Sequence, residues 1–213
     1  MRRVVAPVAV ALVLIAPPLA AQTLHGSAAL GGGWVRTVSL LGSSEDALHG
    51  VVVGGEGRIR VGRFMIDGAY REGGLSTYDD SETRDYAEGH LLVMVATLPG
   101  VELGIGPHAR AFITATGTQR WLFWSLRVRG ERSLIAPTVA GYVELWRSLS
   151  AKVNVSEAFD KATGGEVGMK VRFSRSLFWG RVGYQIERAW LGARRETVEG
   201  LGIVVGYGAA SVP

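Results

Sequence analysis

Residues 88–114, EGHLLVMVATLPGVELGIGPHARAFIT, decide the fold of this chain. Their side chains alternate in character on both sides of a turn at Pro99-Gly100, and a period of two is typical of β-strands. Each arm has about ten residues or more, the length that a tilted strand needs to cross a bilayer. A typical globular strand has about five or six. The stretch therefore predicts a membrane-spanning β-hairpin.

The alternation also predicts how the two arms pair, because opposed residues in a ladder point to the same side. Matching the faces places Leu98 opposite Glu102, with a turn of three residues between them. His90 then lies across from Arg110, and Glu88 lies diagonal to Arg110. Such a narrow charged face suits the inside of a small barrel whose outside contacts lipid.

The first 21 residues have the features of a secretory signal peptide. Arg2 and Arg3 form a positive n-region, an apolar run covers residues 4–15, and Ala20-Ala21 offers a cleavage site before Gln22. The apolar run is too short for the roughly 20 residues of a membrane helix. The sequence therefore predicts an exported protein with a single barrel domain over residues 22–213.

Composition agrees with export and with curved, closely packed strands. The chain has no cysteine, which excludes disulfides, thiolate chemistry and a lipoprotein anchor. Glycine accounts for 30 of 213 residues, against an average share of about 7%. Loss of the two arginines of the signal peptide lowers the formal net charge from +4 to +2. With export, this modest charge argues against nucleic acid as a partner.

The alternation along the whole chain predicts ten strands, although eight or twelve also fit. They cover residues 26–38, 50–61, 64–71, the two arms of the opening hairpin, 133–146, 150–156, 166–173, 177–187 and 199–207. Residues 115–132 are expected to form the ends of two strands and an ordered loop. Short connections near 62, 100, 148 and 175 then alternate with long ones near 44, 79, 123, 161 and 193. Bacterial barrels have this pattern of short periplasmic turns and longer external loops.

Face matching places opposite charges next to each other on the inside of the barrel. Arg58 lies opposite Asp67 across the turn at 62–63, and Glu144 lies opposite Lys152 across a turn predicted at 147–149. The sequence therefore predicts a charge network that fills the lumen. Its predicted members are Glu56, Arg58, Arg60, Asp67, Arg71, Glu88, His90, Glu102, His108, Arg110, Glu144, Lys152, Glu166, Lys170, Arg172, Arg181 and Glu187.

Two histidines on this inner face offer a second interpretation. His90 and His108 lie near Glu88 and Glu102, and a metal or acid–base site would use such residues. A hydrogen-bonded internal charge network is the simpler explanation of the same pattern. The sequence therefore predicts no metal, no cofactor and no catalytic residue.

The last strand carries a motif that supports a family resemblance. Gly200-x-Gly202-x-x-Val205-x-Tyr207 looks like the C-terminal β-signal read by the barrel assembly machinery. Over nearly all of the mature chain, the pattern resembles small bacterial outer-membrane β-barrels of the OmpA/OmpX-like kind. This resemblance implies an all-β, closed, antiparallel up-and-down transmembrane barrel. It also implies a monomer surrounded by outer-membrane lipid, inserted by the assembly machinery through Gly202, Val205 and Tyr207.

Two functions without catalysis fit such a barrel. A lumen that mixes charges of both signs in pairs favours a filled barrel with a structural role, or with surface interactions through its external loops. A narrow pore for small solutes is the alternative, which a wide lumen lined by unpaired charge of one sign would favour. Ten strands lie near the size that side chains can still fill, which again favours the filled barrel. The sequence identifies no external ligand.

An enzyme is the third interpretation of the barrel. Asp79, Asp80 and Asp85 are similar to the loop carboxylates of omptin proteases, which are also ten-stranded. Those enzymes need an Asp-x-His pair in a later loop, where this chain has Asp160 without a histidine. No histidine follows His108, which also leaves a lipid-modifying enzyme without its base. The sequence therefore predicts that the protein is not an enzyme.

Export with cleavage is directly testable. We expect N-terminal sequencing of the membrane-extracted protein to begin within one or two residues of Gln22, because the small residues before it fit signal peptidase. Mature material that still begins at Met1 would contradict the prediction.

Overall fold

The structure is a computed structural model that describes residues 24–115, 117–135, 138–155, 157–173 and 176–208. The predicted signal peptide and the residues after Gly208 lie outside these ranges. Ten strands make up most of the described chain. They are β1 Leu24–Leu41, β2 Ser44–Val61, β3 Phe64–Ser76, β4 Thr83–Leu98, β5 Val101–Thr114, β6 Gly117–Ile135, β7 Val139–Val153, β8 Phe159–Arg172, β9 Phe178–Leu191 and β10 Arg194–Gly208.

The ten strands close into one antiparallel barrel. Each strand pairs with the next in sequence, and β10 returns to pair with β1. The stagger of the barrel follows from the partners of one residue. Starting at Val38 of β1 and moving each time to the directly opposed residue, from β10 down to β2, one returns to β1 at Gly26, twelve residues earlier. A stagger of this kind tilts the strands by about 40° to the barrel axis. The predicted all-β, up-and-down, ten-stranded barrel is confirmed.

The barrel has two ends, which the connections define. The proximal end holds the start of β1, the end of β10, the starts of β3, β5, β7 and β9 and the ends of β2, β4, β6 and β8. The distal end holds the opposite ends of the ten strands, with described connections at 42–43, 77–82 and 192–193. Among the described residues, no helix is long and apolar enough to cross a membrane.

An apolar belt surrounds the barrel. Large hydrophobic side chains point outward at alternate positions, and Leu30 for example is 75% exposed. A soluble monomer rarely exposes a continuous apolar surface of this size, whereas lipid covers it without cost. Toward the distal end the outward positions become polar, as at Glu72 and Arg188. The belt includes Leu30, Trp34, Val53, Ile59, Ile66, Leu91, Val93, Leu103, Ile105, Leu126, Val128, Val143, Leu145, Val167, Val182, Leu201 and Ile203.

The prediction of long external loops near 44 and 193 is wrong, because each of these connections has two residues, and the loop expected near 79 is limited to residues 77–82. The ladder continues through these segments to Leu41 opposite Ser44, Ser76 opposite Thr83 and Leu191 opposite Arg194. The segments are polar because they lie beyond the apolar belt, and polarity alone does not distinguish a strand outside the membrane from a loop. Backbone groups there still gain hydrogen bonds by extending the sheet.

The division of residues 115–156 is also corrected. Residues 121–129, predicted as part of a loop, lie in the complete strand β6, and the turn predicted at 147–149 lies within β7. The pairing of β6 with β7 shifts register at this point, because Trp124 faces Ser150 while Ser125 faces Ser148. The resulting β-bulge at Leu149 interrupts the alternation of inward and outward residues. In the sequence, this interruption looks like a turn between two strands. The strand count is therefore right, although these two strands were divided at the wrong place.

The register of the opening hairpin differs from the prediction by two residues. Its turn has two residues, and the pairing shifts register between Ala96 and Leu98. Glu88 therefore lies directly opposite Arg110, and His90 lies opposite His108. A shift of two residues keeps every side chain on its predicted face, since the side-chain period is two.

Aromatic rings cover several inward glycines of the neighbouring strand. A Cβ on Gly164 would overlap the indole ring of Trp146, and a Cβ on Gly206 would overlap the ring of Trp179. Gly168 of the neighbouring strand and Gly183 of the strand after it lie in the same way beneath the Tyr142 side chain. The glycines therefore provide the space in which these rings lie flat against the barrel wall.

This packing predicts different effects for two Gly→Ala substitutions. Gly164→Ala should lower the free energy of unfolding by about 1–3 kcal/mol, because the Trp146 ring must move out of its place. Gly74→Ala is the control, since a Cβ on Gly74 meets no atom within 4 Å. The control should change stability by less than about 1 kcal/mol. Urea unfolding in detergent, followed by tryptophan fluorescence, measures both, and equal effects would contradict the packing argument.

Candidate functional site

The lumen is divided along its axis into an apolar layer and a charged layer. The apolar layer, here called the distal plug, lies toward the distal ends of the strands, where buried side chains from around the barrel form one cluster. The cluster takes in residues from nine of the ten strands, so apolar side chains surround the lumen at this level. The distal plug consists of Val35, Leu48, Val52, Leu75, Tyr86, Phe112, Trp121, Phe123, Ala162, Ala189, Leu191 and Val198.

Glu88 lies at the centre of the charged layer, directly below the distal plug. One carboxylate oxygen accepts hydrogen bonds from Arg71 Nε at 2.7 Å and from the Tyr86 hydroxyl at 2.7 Å. The other accepts from Arg110 at 2.7 Å and lies 2.8 Å from His108 Nε2. Charge-assisted hydrogen bonds of this kind are about twice as strong as neutral ones. Glu88 therefore joins three strands into one network.

Arg110 extends this network across the lumen to β9. Its second terminal nitrogen lies 2.8 Å from a Glu187 oxygen, and the Trp146 indole donates to the other Glu187 oxygen at 3.0 Å. Both Arg110 and Glu187 have only 2% of their side-chain surface exposed. A buried ion costs several kcal/mol unless its partners replace water, so these groups depend on one another.

Asp67 is the centre of a second group, nearer the proximal end. Arg58 donates to Asp67 at 2.8 Å and also to Glu102 at 3.1 Å. The Nε2 atom of His90 lies 3.2 Å from the second Asp67 oxygen, and a terminal nitrogen of Arg129 lies 3.9 Å from the first. The pairing of Arg58 with Asp67 is thus part of a larger cluster. Replacing only these two residues would leave Glu102 without its arginine.

Glu144 connects the two groups through the arginines of β6. It accepts a hydrogen bond from Arg127 at 2.7 Å and lies 3.3 Å from Arg129 Nε. Arg127 also approaches His108 Nδ1 at 3.4 Å. An arginine facing Nδ1 leaves the ring hydrogen of neutral His108 on Nε2, which then donates to Glu88.

The pairing of Glu144 with Lys152 is wrong. Glu144 lies opposite Arg129 on one side and opposite Glu166 on the other. Lys152 comes after the bulge, which turns its side chain to the outer surface, where it is exposed. The predicted network omits Arg129 because residues 115–132 are expected to form the ends of two strands and an ordered loop, although the alternation of that segment also fits a strand.

The remaining predicted members lie at the margins of the two groups. Arg181 donates to Glu56 at 2.6 Å, and Glu166 accepts from the Tyr142 hydroxyl. At the proximal mouth, Lys170 lies 3.7 Å from Glu131. A cavity of about 150 Å³ at this mouth is lined by Arg60 and Arg172. Arg60 also donates a hydrogen bond to the Gly62 carbonyl.

One side of the lumen wall has few side chains. At the middle of the barrel, glycines occupy adjacent inward positions of β1 and β10, with one glycine of β2 and one of β9 beside them, whereas most of the inward arginine, glutamate and histidine side chains project from β3–β8. A cavity of about 170 Å³ lies between these two sides. Its wall includes Gly31, Gly33, Gly54, Gly183, Gly200 and Gly202, and Arg71, Glu88, His90, Glu166 and Arg181 face them.

Three residues of the charged layer have the composition of a metal site. Ligand atoms of Glu88, His108 and Glu187 lie within 4.8 Å of one another. Arg110 lies between the two glutamates and contacts both. Its guanidinium already supplies the positive charge that a metal would bring, so the cluster fits an ion-pair network.

The distal rim does not bring together an aspartate–histidine pair among the described residues. Hydrogen bonds from Thr77 and Ser81 lower the pKa of Asp79 to about 2. His49, the histidine nearest this rim, stacks on Tyr78 with ring centroids 4.2 Å apart. Asp80 and Asp85 are exposed nearby. Among the described residues, no hydrogen bond or ion pair joins His49 to Asp79, Asp80 or Asp85.

The proposed β-signal residues lie in the strand that closes the barrel. Val205 and Tyr207 point outward and are exposed, and Tyr207 contacts Phe178 with ring centroids 5.1 Å apart. Gly202 lies opposite Gly33 and Gly183 in the neighbouring strands. Recognition of these residues during insertion stays a prediction.

No protein-family model and no curated protein sequence matches the chain. Among solved structures, it is similar to the outer membrane protease OmpT from Escherichia coli, with 10% identity and a TM-score of 0.54, over 87% of this chain and 96% of that one. An outer membrane channel from Pseudomonas putida F1 has 10% identity and a TM-score of 0.47, over 92% and 100% of the two chains. The translocator domain of the autotransporter NalP from Neisseria meningitidis has 12% identity and a TM-score of 0.46, over 86% and 88%.

These similarities concern the fold. At such low identity they carry no activity over to this chain. The chain has the fold of a small outer-membrane β-barrel, as the alternation and the last strand predicted.

The network predicts which internal charge matters most for stability. Glu88→Gln should lower the free energy of unfolding by about 3–5 kcal/mol, because Arg71 and Arg110 would both lose a buried counter-charge. The control replaces Glu56→Leu together with Arg181→Met and should cost clearly less, since Glu166, the other carboxylate near Arg181, keeps the hydrogen bond from Tyr142. Urea unfolding in detergent measures both variants. A control as damaging as Glu88→Gln would contradict the argument.

Proposed function

We propose that the chain is a closed barrel of the Gram-negative outer membrane, with a structural or surface-interaction role and no open channel. The observation that carries this proposal is the distal plug, which closes the lumen with apolar side chains above a layer of paired charges. An ion would have to leave water to cross the plug, and transfer of an unpaired charge into an apolar medium is very costly.

The charged layer supports closure for a second reason. Open channels use rings of unpaired charge of one sign to attract ions. Here the central carboxylates already contact guanidinium groups, as Glu88 does with Arg71 and Arg110 and Glu144 does with Arg127. A permeating ion would therefore compete with fixed partners at short distances.

The distal end is proposed to face the outside of the cell. The strands project beyond the apolar belt on that side, where Glu72, Asp85, Arg120 and Arg188 are exposed. Any surface interaction would therefore use the projecting strand ends and short turns. We further propose a monomer that the barrel assembly machinery inserts through the last strand.

A narrow pore is the second candidate, and the cavity beside the glycine wall is the observation that favours it. About 170 Å³ holds several water molecules but continues through the barrel only if the distal plug opens. A protease has weaker support, because the likeness to OmpT concerns the fold and no histidine accompanies the distal carboxylates among the described residues.

Recording in planar bilayers tests closure. The refolded wild-type protein should produce no conductance steps, and steps of the size of an open porin would contradict the proposal. Trp121→Ala with Phe123→Ala removes two rings from the distal plug and should produce brief, small steps. Leu122→Ala with Trp124→Ala is the matched control, because these neighbours on the same strand point outward. The control should stay silent.

A further inference from the structure

Charge is distributed unequally around the outer surface at the distal edge of the apolar belt. Strands β6–β10 expose six cationic side chains there against one exposed carboxylate, Asp160, whereas the outward positions of β2–β4 and the connection 77–82 expose acidic ones. The basic face consists of Arg120, Arg147, Lys152, Lys161, Arg188 and Arg195. The acidic face consists of Glu45, Glu72, Asp79, Asp80, Glu82 and Asp85. The barrel therefore has one basic and one acidic side.

The six cations of the basic face differ from the arginines of the lumen in their partners. Among the described residues, none of the six lies within 4.0 Å of a carboxylate, whereas Arg58, Arg71 and Arg110 all do. The basic face is thus available to a negatively charged group from outside the chain.

The register brings two of these cations to one place. Arg147 lies opposite Thr163, and Thr163 lies opposite Arg188, so the two arginines flank a hydroxyl on three adjacent strands. Strands are about 4.8 Å apart, which places the two backbone positions about 10 Å from each other. Two guanidinium groups beside a hydroxyl form a set of donors that suits phosphate oxygens.

The position of Arg147, Thr163 and Arg188 along the barrel axis favours a lipid over a free anion as their ligand. Arg147 lies opposite the lipid-facing Leu126, and Leu145 and Leu149 flank it along its own strand. Nearby, the Lys161 ammonium lies 4.9 Å from the centre of the Trp190 ring. Aromatic rings and cations at the end of an apolar surface are typical of the headgroup level of a bilayer.

We infer that the basic face binds the phosphates of an anionic lipid in the outer leaflet, with Arg147, Thr163 and Arg188 as its centre. The spacing of the two arginines fits a headgroup that carries two phosphate groups. The acyl chains of this lipid would lie against the apolar belt below, along β6–β9.

The test titrates lipid A, which carries two phosphates, into the detergent-solubilised full-length mature barrel and measures the lipid retained after gel filtration. Arg147→Gln with Arg188→Gln should weaken retention at least tenfold, since each cation near a membrane surface contributes about one kcal/mol. Glu72→Gln with Asp85→Asn changes the same number of charges on the acidic face and should retain as much lipid A as the wild type. Heat-dependent gel mobility verifies that each variant is folded.

Several outcomes would overturn the inference. Equal retention by the double arginine variant, or an equal loss in the acidic-face control, would show that the basic face does not bind the lipid. Retention of phosphatidylcholine as strong as that of lipid A would exclude recognition of phosphate. Monophosphoryl lipid A or phosphatidylglycerol bound as tightly as lipid A would contradict the two-phosphate assignment. Full competition by millimolar inorganic phosphate would indicate a site for a free anion.

Discussion

The closed hydrogen-bond ladder is the constraint on which the rest of this structure depends. Lipid offers no hydrogen bonds, so each backbone amide and carbonyl within the apolar belt needs a partner in the chain. Pairing of β10 with β1 removes the last open edge, and the stagger of twelve residues fixes the tilt and therefore the width of the lumen. Everything inside must fit the space that this closure leaves.

That space is filled unevenly, and the unevenness explains the glycine content. Long side chains, most of them from β3–β8, reach across the lumen, and glycines in β1, β2, β9 and β10 give them room. Over Gly164 and Gly206, the rings of Trp146 and Trp179 lie against the wall, where any Cβ would displace them. Glycine thus acts here mainly by the absence of a side chain.

Contacts between directly opposed residues would not by themselves neutralise the charges inside the barrel. Lys170 lies opposite Arg181, and Glu144 lies opposite Glu166, so neighbouring strands place like charges together. The side chains resolve this conflict by reaching other strands, as Arg181 does toward Glu56 on β2. The buried network therefore links strands that are not adjacent in the ladder, and this linkage opposes deformation of the barrel.

Except after the bulge at Leu149, the sequence by itself determined which side chains face lipid and which face the lumen, because side chains alternate with a period of two along a strand and their polarity matches the surroundings. It also placed Arg58 opposite Asp67, since a turn of two residues leaves little freedom in register. Only the tertiary structure decided the bulge at Leu149, the outward position of Lys152 and the contact of Arg110 with Glu187. No particular residue type marks a β-bulge, so the sequence does not show where the period of two changes. Contacts across the lumen exist only after ten strands have closed into a barrel of fixed width.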